Sequence, residues 1–430
     1  MRWRSAILAL LFAFSPVFGA EISSAGLEEG PLRQFYQDRH GALAWSGSAK
    51  AKSDARQALT ILSQAAAEGL DPERYRLFAE GDDAFANDAS ISRAVLTYMR
   101  DVAVGRPELR AVDNDIALPQ RAPDFAAILQ DALTRDRLAE TLKNLAPRHS
   151  GYLALKAALP HAGDKADIFA ANMERWRWLP ADLEPGRIMV NAASSELEMW
   201  LGGKLVLTSR VIVGKPASPT PILRAEGAGI TLNPPWTVPR SISAKEILPK
   251  LKRNPAWLAN HDMVLLDGPK DDPQGLHINW RAIPAGHFPY QVRQFPGPRN
   301  PLGQIKLELP NRFNVYLHDT PDKAAFGRSR RQLSHGCVRV EQILPLATYA
   351  LAADPIAKLQ IAQAMESGKT SYLPLSKKLP VYFLYWTAVP GADSGPAFYP
   401  DVYGRDRRLI AAMRPAQLRI AAVTPPCTKG

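Results

Sequence analysis

The chain has 430 residues, of which 46% are hydrophobic, and its formal net charge is +11 at pH 7. This length and apolar content are sufficient for two or three domains with sizeable cores. Apart from the N-terminus, no apolar stretch is long enough for a transmembrane helix, which argues against an integral membrane protein. The positive charge favours anionic partners, but a nucleic-acid partner is not indicated because no DNA- or RNA-binding motif is present.

The first twenty residues have the pattern of a secretory signal peptide. Arg2 and Arg4 precede an apolar run at 6–14, and small residues follow at 17–20. A basic start, a short apolar core and a small-residue cleavage site are the three parts of such a signal. We therefore expect residues 1–20 to be removed on export, leaving a chain without a stable membrane span in an oxidising compartment. An uncleaved N-terminal anchor is the alternative.

Residues 21–165 are predicted to form an all-helical scaffold domain. Apolar side chains recur every three or four positions at 91–104 and 125–145, with charges on the other faces. The histidines of this region lie at no metal-ligand spacing, so we expect no chemistry here.

The pattern changes to strands in the region 166–375. Apolar residues partly alternate over 187–200, Gly202-Gly203 follows as a turn, and residues 204–213 return as a second strand. Later strands are short and separated by Pro and Gly. A mostly antiparallel sheet or sandwich is the simplest architecture for such a pattern.

Two further segments complete the predicted organisation. Residues 240–300 are too long and irregular for a simple connection, which predicts a capping or lid insertion, although packing alone would also account for their aromatic residues. Residues 376–430 form a C-terminal segment that ends in a flexible tail. The expected fold class is therefore α+β and multidomain, with an all-α scaffold domain and a mostly-β, sandwich-like second domain.

The segment 334–337, Ser-His-Gly-Cys, carries the clearest chemical signal. A cysteine nucleophile needs a base to take its proton and donors to stabilise the oxyanion that it creates. His318 ends a predicted strand over 312–318, and its side chain shares the polar face of that strand with Tyr316. A helical stripe that starts near Val340 predicts a helix N-terminus just after Cys337, which favours a thiolate.

The second cysteine leaves an alternative open. Two cysteines in an exported protein often pair, and Cys337 with Cys427 is the only possible pair. Cys427 lies three residues before the end of the predicted tail, whereas Cys337 is surrounded by groups that activate a thiol. We therefore interpret Cys337 as a free nucleophile, with the structural disulfide as the competing interpretation.

The motif resembles the signature of the YkuD-type L,D-transpeptidase catalytic domain, in which a histidine, a defined gap and Ser/Thr-His-Gly-Cys follow one another. The resemblance extends to 213–216 (Val-Gly-Lys-Pro), 233–239 (Asn-Pro-Pro-Trp-Thr-Val-Pro) and 316–321 (Tyr-Leu-His-Asp-Thr-Pro). The helical half is similar to the scaffold domain of the large periplasmic, YcbB-type branch, which implies a periplasmic location. The chain between 159 and 173 is too short for the peptidoglycan-binding module that larger members carry.

The resemblance implies acyl transfer through a cysteine thioester, without a metal or cofactor. Cys337 is the implied nucleophile and His318 the proton donor and acceptor, oriented by the backbone carbonyl of Asp319. The Gly336 N–H is an implied oxyanion donor, and His335 orients or stabilises the tetrahedral centre. The residues predicted to bind the substrate are Ser334, Arg339, Tyr316 and Trp236.

The implied reaction joins peptidoglycan stem peptides. A tetrapeptide donor loses D-Ala, and the diaminopimelate amine of a neighbouring stem accepts the acyl group in a 3→3 cross-link; carbapenems are expected to acylate Cys337. Water as the acceptor gives an L,D-carboxypeptidase or L,D-endopeptidase with the same site, and a wall-binding scaffold without catalysis is a third hypothesis. The oligomeric state is left open.

The basic residues concentrate around the predicted site. Between 290 and 340 the chain has nine Lys or Arg residues and three acidic residues. Such a segment attracts a carboxylate-rich substrate. A solvated basic face without a ligand is the alternative.

Overall fold

The computed structural model describes residues 29–77, 82–352, 354–391 and 395–414. The predicted signal peptide and Cys427 lie outside these residues. The chain divides into two compact units, one made of residues up to 103 together with 122–146, the other of 104–121 together with 147 onwards. The predicted domain limits at 20, 165 and 375 remain predictions.

The N-terminal elements are mostly helical. Ser48 caps the second helix by accepting a hydrogen bond from the Ala51 N–H (3.0 Å), and Asp124 caps the fifth by accepting one from Ala127 (2.9 Å). The single helix predicted over 125–145 is two helices, because Asp136 adopts a left-handed conformation (φ 55°). In chain order the elements are α1 (Pro31–Asp38), α2 (Ala49–Ser63), α3 (Ala84–Val104), α4 (Pro107–Arg110), β1 (Ile116–Ala117), α5 (Phe125–Thr134) and α6 (Leu138–Asn144).

The larger unit continues with two helices and then mostly strands. The predicted hairpin turn at Gly202-Gly203 is confirmed, since both glycines have positive φ and Leu201 pairs with Lys204. The region 187–200 is two strands, because the chain turns at Ser195 (φ 58°). The elements are α7 (Ser150–Ala158), α8 (Ala166–Arg177), β2 (Arg187–Asn191), β3 (Glu196–Leu201), β4 (Lys204–Gly214), β5 (Ile222–Leu232), β6 (Trp236–Thr237), α9 (Arg240–Ile242), a π-helical turn (Ser243–Ile247), α10 (Leu248–Arg253), β7 (Met263–Leu265), β8 (Val292–Gln294), β9 (Ile305–Glu308), β10 (Leu317–His318), β11 (Gln332–Ser334), β12 (Val338–Val340), α11 (Ile343–Ala350), α12 (Ala357–Ser367), β13 (Ser371–Leu384), β14 (Ala388–Pro390), β15 (Pro396–Phe398) and α13 (Arg405–Met413).

The main sheet of the described chain closes on itself. Its strands follow the order β5-β13-β2-β3-β4-β12-β10-β9, and β9 pairs again with β5, while β1 and β11 attach to β5 and β4. Most pairs are antiparallel, but β13–β2 and β10–β12 are parallel. The predicted α+β class with a mostly-β second domain is confirmed; closure of the sheet replaces the two facing sheets of a sandwich.

The segment between β5 and β9 forms a small body with its own core. It contains the three-stranded sheet β6-β8-β7 and an apolar cluster around Leu251, Leu258 and Trp280, all of them buried. The segment leaves the main sheet after Leu232 and returns at Ile305, and these two residues pair with each other. The insertion is thus attached through one pair of adjacent strands.

Candidate active site

The pairing of β10 with β12 collects the predicted site residues. In this parallel pair Leu317 lies opposite Val338, and His318 lies opposite Arg339. Leu317 and Val338 are fully buried in the core. Because side chains alternate along a strand, His318 and Arg339 point to the other face. Tyr316 and Cys337 lie two positions before His318 and Arg339, and each is close enough to the other to affect its pKa.

The approach to β10 differs from the strand predicted over 312–318. The side-chain oxygen of Asn311 accepts hydrogen bonds from the N–H groups of Phe313 (3.0 Å) and Val315 (3.3 Å), which are therefore lost to a strand ladder. Asn314 adopts a left-handed conformation (φ 52°), and its carbonyl oxygen lies 3.5 Å from Cys337 Sγ. The predicted strand is wrong over 312–316, and the turn that replaces it contacts the thiol.

His318 is held as a neutral base. Its Nδ1 lies 2.5 Å from the carbonyl oxygen of Asp319, which only accepts, so Nδ1 carries the proton and Nε2 keeps its lone pair. Burial lowers the pKa of His318 to about 3, and the charge of Arg339 acts in the same direction, while the Asp319 carbonyl opposes it. The imidazole is therefore neutral at neutral pH and ready to take a proton.

Asp319 is fixed by its own contacts. Its N–H donates to the Ile305 carbonyl (2.8 Å), and one carboxylate oxygen accepts from the Gln304 N–H (3.0 Å) while the other pairs with Lys323. Gly303 has a φ of 60°, and a Cβ there would lie 2.3 Å from the Asp319 carboxylate. The carbonyl that orients His318 thus belongs to a rigid corner.

Cys337 is a protonated thiol in the free protein. Burial raises its pKa above the ordinary value; hydrogen bonds from Tyr316 and the charges of Lys306 and Arg339 oppose this effect without reversing it. The helix N-terminus predicted directly after Cys337 is not there, because β12 intervenes and α11 begins only at Ile343. The expected low thiol pKa is therefore wrong, and the thiol needs a base at the moment of attack.

The loop around Cys337 is ordered by Ser334. The Ser334 hydroxyl accepts from the Gly336 N–H (3.1 Å) and donates to the Cys337 carbonyl (2.5 Å). The predicted oxyanion donor, the Gly336 N–H, is thus engaged inside the loop. No described group accepts a hydrogen bond from the Cys337 N–H, which leaves that donor available.

Thr220 is a site residue that the sequence analysis missed. Its fully buried hydroxyl accepts from the Gly214 N–H (2.9 Å) and donates to the Gly336 carbonyl (2.8 Å). Because a peptide group is planar, the bond to the Gly336 carbonyl also sets the direction of the Cys337 N–H on the opposite side. From the C-terminal segment, Tyr403 donates to the Gly214 carbonyl (2.6 Å) and Arg405 to that of Thr220 (3.1 Å).

His335 points towards the insertion. Its ring is partly exposed, and Nε2 lies 2.6 Å from Glu246 Oε1 and 3.2 Å from Lys215 Nζ. Glu246 belongs to the π-helical turn of the insertion. The contacts of His335 are thus with this cap and with Lys215, and a role beside the tetrahedral centre remains a prediction.

The predicted substrate residues Tyr316 and Trp236 are neighbours, and Trp236 belongs to strand β6 of the insertion. Burial and the neighbouring Cys337 raise the pKa of Tyr316, so that the phenol keeps its proton, while the adjacent Trp236 side chain acts in the opposite direction. Lys306 Nζ lies 4.4 Å from the centre of the Tyr316 ring, a contact that no sequence signal indicated. Trp236 thus connects the insertion to the thiol through one side chain.

Within the described residues, no group of three or more His, Cys, Asp or Glu side chains is arranged to hold a metal ion. None of the described helices combines the length and apolarity that a membrane crossing requires.

Known protein families match both parts of the chain. Residues 185–357 match the family described as L,D-transpeptidase catalytic domain, the YkuD family, and residues 30–159 match the family described as Scaffold domain. A Haemophilus influenzae protein provisionally named an L,D-transpeptidase is 33% identical over 287 residues. That alignment covers 65% of this chain, and the chain spans 58% of the relative's length.

Solved structures give only a weak likeness. The Ldtfm–avibactam carbamoyl enzyme has a TM-score of 0.24 at 13% identity, covering 48% of this chain and 51% of the other. An L,D-transpeptidase from Mycobacterium smegmatis has a TM-score of 0.21 at 11% identity, covering 46% and 58%. The comparison therefore depends on the matched domains: residues 185–357 of this chain match the YkuD L,D-transpeptidase catalytic domain, and residues 30–159 before it match the scaffold domain.

Proposed function

We propose that this protein is a peptidoglycan L,D-transpeptidase that forms 3→3 cross-links through a thioester on Cys337. The observation that carries the proposal is a neutral His318, with its Nε2 lone pair free, beside a half-buried, protonated thiol. Such a pair suits general-base activation of a sulfur nucleophile. The proposed donor is a tetrapeptide stem and the proposed acceptor the amine of diaminopimelate on a second stem.

In the first half-reaction, Cys337 Sγ attacks the carbonyl carbon of the third stem residue while His318 Nε2 takes the thiol proton. The carbonyl oxygen becomes an oxyanion, which the Cys337 N–H stabilises. Collapse breaks the bond to D-Ala, and the imidazolium returns its proton to the leaving amine. The product is a thioester between Cys337 and the shortened stem.

In the second half-reaction, the acceptor amine attacks the thioester carbonyl. His318 takes a proton from this amine, and collapse of the second oxyanion expels the Cys337 sulfur, to which the imidazolium returns the proton. One peptide bond has broken and one has formed, so no external energy source or redox partner is required. His335, Arg339 and Ser334 are proposed to position the stem and the loop.

The insertion supports an amine as the acceptor. Trp236 of the insertion neighbours Tyr316, and Glu246 of the insertion contacts His335, so that the insertion adjoins the residues next to Cys337. A covered thioester is shielded from bulk water and favours an acceptor that binds in the cleft. The proposed location is the periplasm, for which the N-terminal signal pattern is the support.

Mass spectrometry of purified tetrapeptide muropeptides incubated with the protein tests the proposal. We expect cross-linked dimers and free D-Ala from the wild type and from Cys427→Ala, and neither product from Cys337→Ala. Tripeptide monomers without dimers would identify water as the acceptor, and turnover by Cys337→Ala would remove the thioester mechanism. A carbapenem is expected to add its mass to Cys337 and not to the alanine variant.

A further inference from the structure

A second cleft, of about 550 Å³, lies over the outer face of β2 and β3. None of the residues assigned to the cysteine site lines it. The core side of these strands is formed by Ile188, Val190, Leu197 and Met199, which are fully buried. The alternate residues form the floor of the cleft in three cross-strand pairs: Arg187 with Trp200, Met189 with Glu198, and Asn191 with Glu196.

The wall of this cleft is aromatic and rigid. The rings of Trp176 and Trp386 stack at 4.0 Å with an angle of 18°. Asn191 ties this wall to the floor, since its amide donates to the Trp386 carbonyl and accepts from the Trp386 N–H, both at 2.9 Å. Gly151 permits the packing, because a Cβ there would lie 2.1 Å from Trp176 Cζ2. The cleft is thus formed before any ligand binds, which lowers the entropy cost of binding.

The chemistry of the cleft combines flat apolar surfaces with hydrogen-bond acceptors. Trp200 and Tyr399 are partly exposed at its edges, and Glu196 and Glu198 are exposed on its floor. Glu198 accepts one hydrogen bond, from Trp200 Nε1 (3.0 Å), which uses a small part of the acceptor capacity of a carboxylate. Aromatic faces with a few placed polar groups are the usual lining of a specific small-ligand site.

We propose that this cleft binds an uncharged saccharide of the N-acetylhexosamine type. The C–H face of a pyranose ring packs on an indole ring, while the hydroxyl and amide N–H groups at its rim donate to carboxylates. The lining carries Glu196 and Glu198 against Arg187, whose guanidinium lies 4.5 Å from the centre of the Trp200 ring, so the net charge of these three residues is negative and disfavours the carboxylates of a stem peptide. The sugar backbone is then the favoured part of a peptidoglycan ligand. Identification of the natural ligand as the glycan strand rests on the proposed function; binding of a saccharide does not.

The cleft is physically connected to the loop that carries Cys337. Ser194 lines the cleft, and its carbonyl and that of Ser195 accept hydrogen bonds from Arg331 (3.1 and 3.2 Å). Arg331 lies three residues before Ser334. Its charge acts to lower the pKa of Tyr399, which lines the cleft. A glycan strand in the cleft is therefore held beside the segment that leads into the cysteine site.

Binding of N-acetylglucosamine hexamer to the full chain carrying Cys337→Ala tests this inference, because binding in that background does not depend on turnover. We expect saturable binding by calorimetry, weakened at least tenfold by Trp200→Ala and by the isosteric Glu198→Gln. Tyr349→Ala removes an exposed aromatic residue of α11 that does not line the cleft, and should bind as the parent does. Near-ultraviolet circular dichroism of each variant separates lost binding from lost folding.

Three outcomes would overturn the saccharide cleft: no binding of the hexamer, binding that neither cleft variant weakens, or binding of a free stem tetrapeptide that the same variants abolish. Failure of the proposed function has a different signature. In that case muropeptides stay unchanged with the wild type, while the hexamer still binds in a Trp200-dependent manner.

Discussion

At the scale of single residues, Arg339 is the side chain whose role changes most when the structure is known. It lies opposite His318, and its charge lowers the pKa of both His318 and Cys337. A base works only while it is unprotonated, so a lowered pKa of His318 extends activity to acidic pH. Arg339 is therefore expected to tune the base, in addition to any contact with substrate.

Replacing Arg339 with Met should move the acid limb of the pH profile of kcat/KM to higher pH. In the wild type the neutral imidazole persists down to about pH 3. Without the guanidinium the pKa of His318 rises, but burial, the largest cause of its low value, remains, so the rate at pH 4 should fall relative to pH 7 by more than it does in the wild type. Rates of Cys337 acylation between pH 4 and 8 measure this, with Arg339→Lys as the charge-retaining control. An unchanged acid limb in Arg339→Met would contradict the assignment.

Thr220 is expected to act as a positioning residue for the oxyanion donor. Thr220→Val leaves the Gly214 N–H and the Gly336 carbonyl buried without their partner, at about 1–3 kcal/mol of stability for each group. The Cys337 N–H then loses its fixed direction, and kcat for acylation should drop about tenfold to a hundredfold with little change in KM.

The conservative variant Thr220→Ser separates this role from a merely structural one. It retains the hydroxyl and should restore kcat to within about threefold of the wild type. If Thr220→Val loses stability but keeps its kcat, or if serine restores stability alone, the residue supports the fold and not the oxyanion donor. Thermal unfolding and steady-state kinetics on the same samples provide both readouts.

At the scale of elements, the insertion is joined to the cysteine loop by a hydrogen-bonding contact of 2.6 Å between Glu246 and His335, each about two fifths exposed. An exposed contact of this kind contributes about 0.2–1 kcal/mol of stability. Its loss would change the equilibrium between closed and open positions of the insertion by at most about fivefold. Glu246→Gln should therefore raise the ratio of tripeptide monomers to cross-linked dimers by up to about that factor, because an opened cap admits water.

Glu226→Gln is the matched control for Glu246→Gln. Glu226 is similarly exposed and pairs with Lys378 on the main sheet. Product ratios from liquid chromatography with mass detection should be unchanged in this variant. An equal rise in hydrolysis in both variants, or none in Glu246→Gln, would show that the contact between Glu246 and His335 does not control access of water.

Local patterns predicted some elements of the site and misassigned others for identifiable reasons. The hairpin turn at Gly202-Gly203 was predictable because the two residues themselves dictate it. The absence of a strand over 312–316 was not predictable. The residues alternate as in a strand, but the Asn311 side chain takes the N–H groups that a strand ladder would need. The prediction of a helix directly after Cys337 was wrong, because β12 pairs with β4 and β10 and keeps the chain extended there.

At the scale of the whole molecule, the closed sheet brings together residues that no sequence pattern connects. Thr220 is 116 positions from Gly336, and Glu246 is 89 positions from His335. Their roles follow only from strand order, whereas His318 and Cys337 belong to one motif of short spacing. The two side chains that are proposed to carry the chemistry were therefore predictable from the sequence, and the groups that position them were not.

The distribution of charge also becomes clearer at this scale. Several basic residues of the segment 290–340 have acidic partners: Arg299 with Asp262, Lys306 with Glu308, and Lys323 with Asp319. Arg328 and Arg330, in the loop before the cysteine motif, are exposed. Attraction of an anionic stem should therefore come mainly from this loop and be moderate in size.

Raising the ionic strength from 0.01 to 0.15 M shortens the screening length from about 30 to about 8 Å. We expect kcat/KM for a carboxylate-rich tetrapeptide stem to fall about threefold to tenfold over this range, because attraction by the loop is screened before contact. A stem with amidated carboxylates should respond much less, and Arg328→Gln combined with Arg330→Gln should flatten the response to the charged stem. If the charged and amidated stems lose rate equally as salt is added, the basic segment is a solvated surface and does not attract substrate.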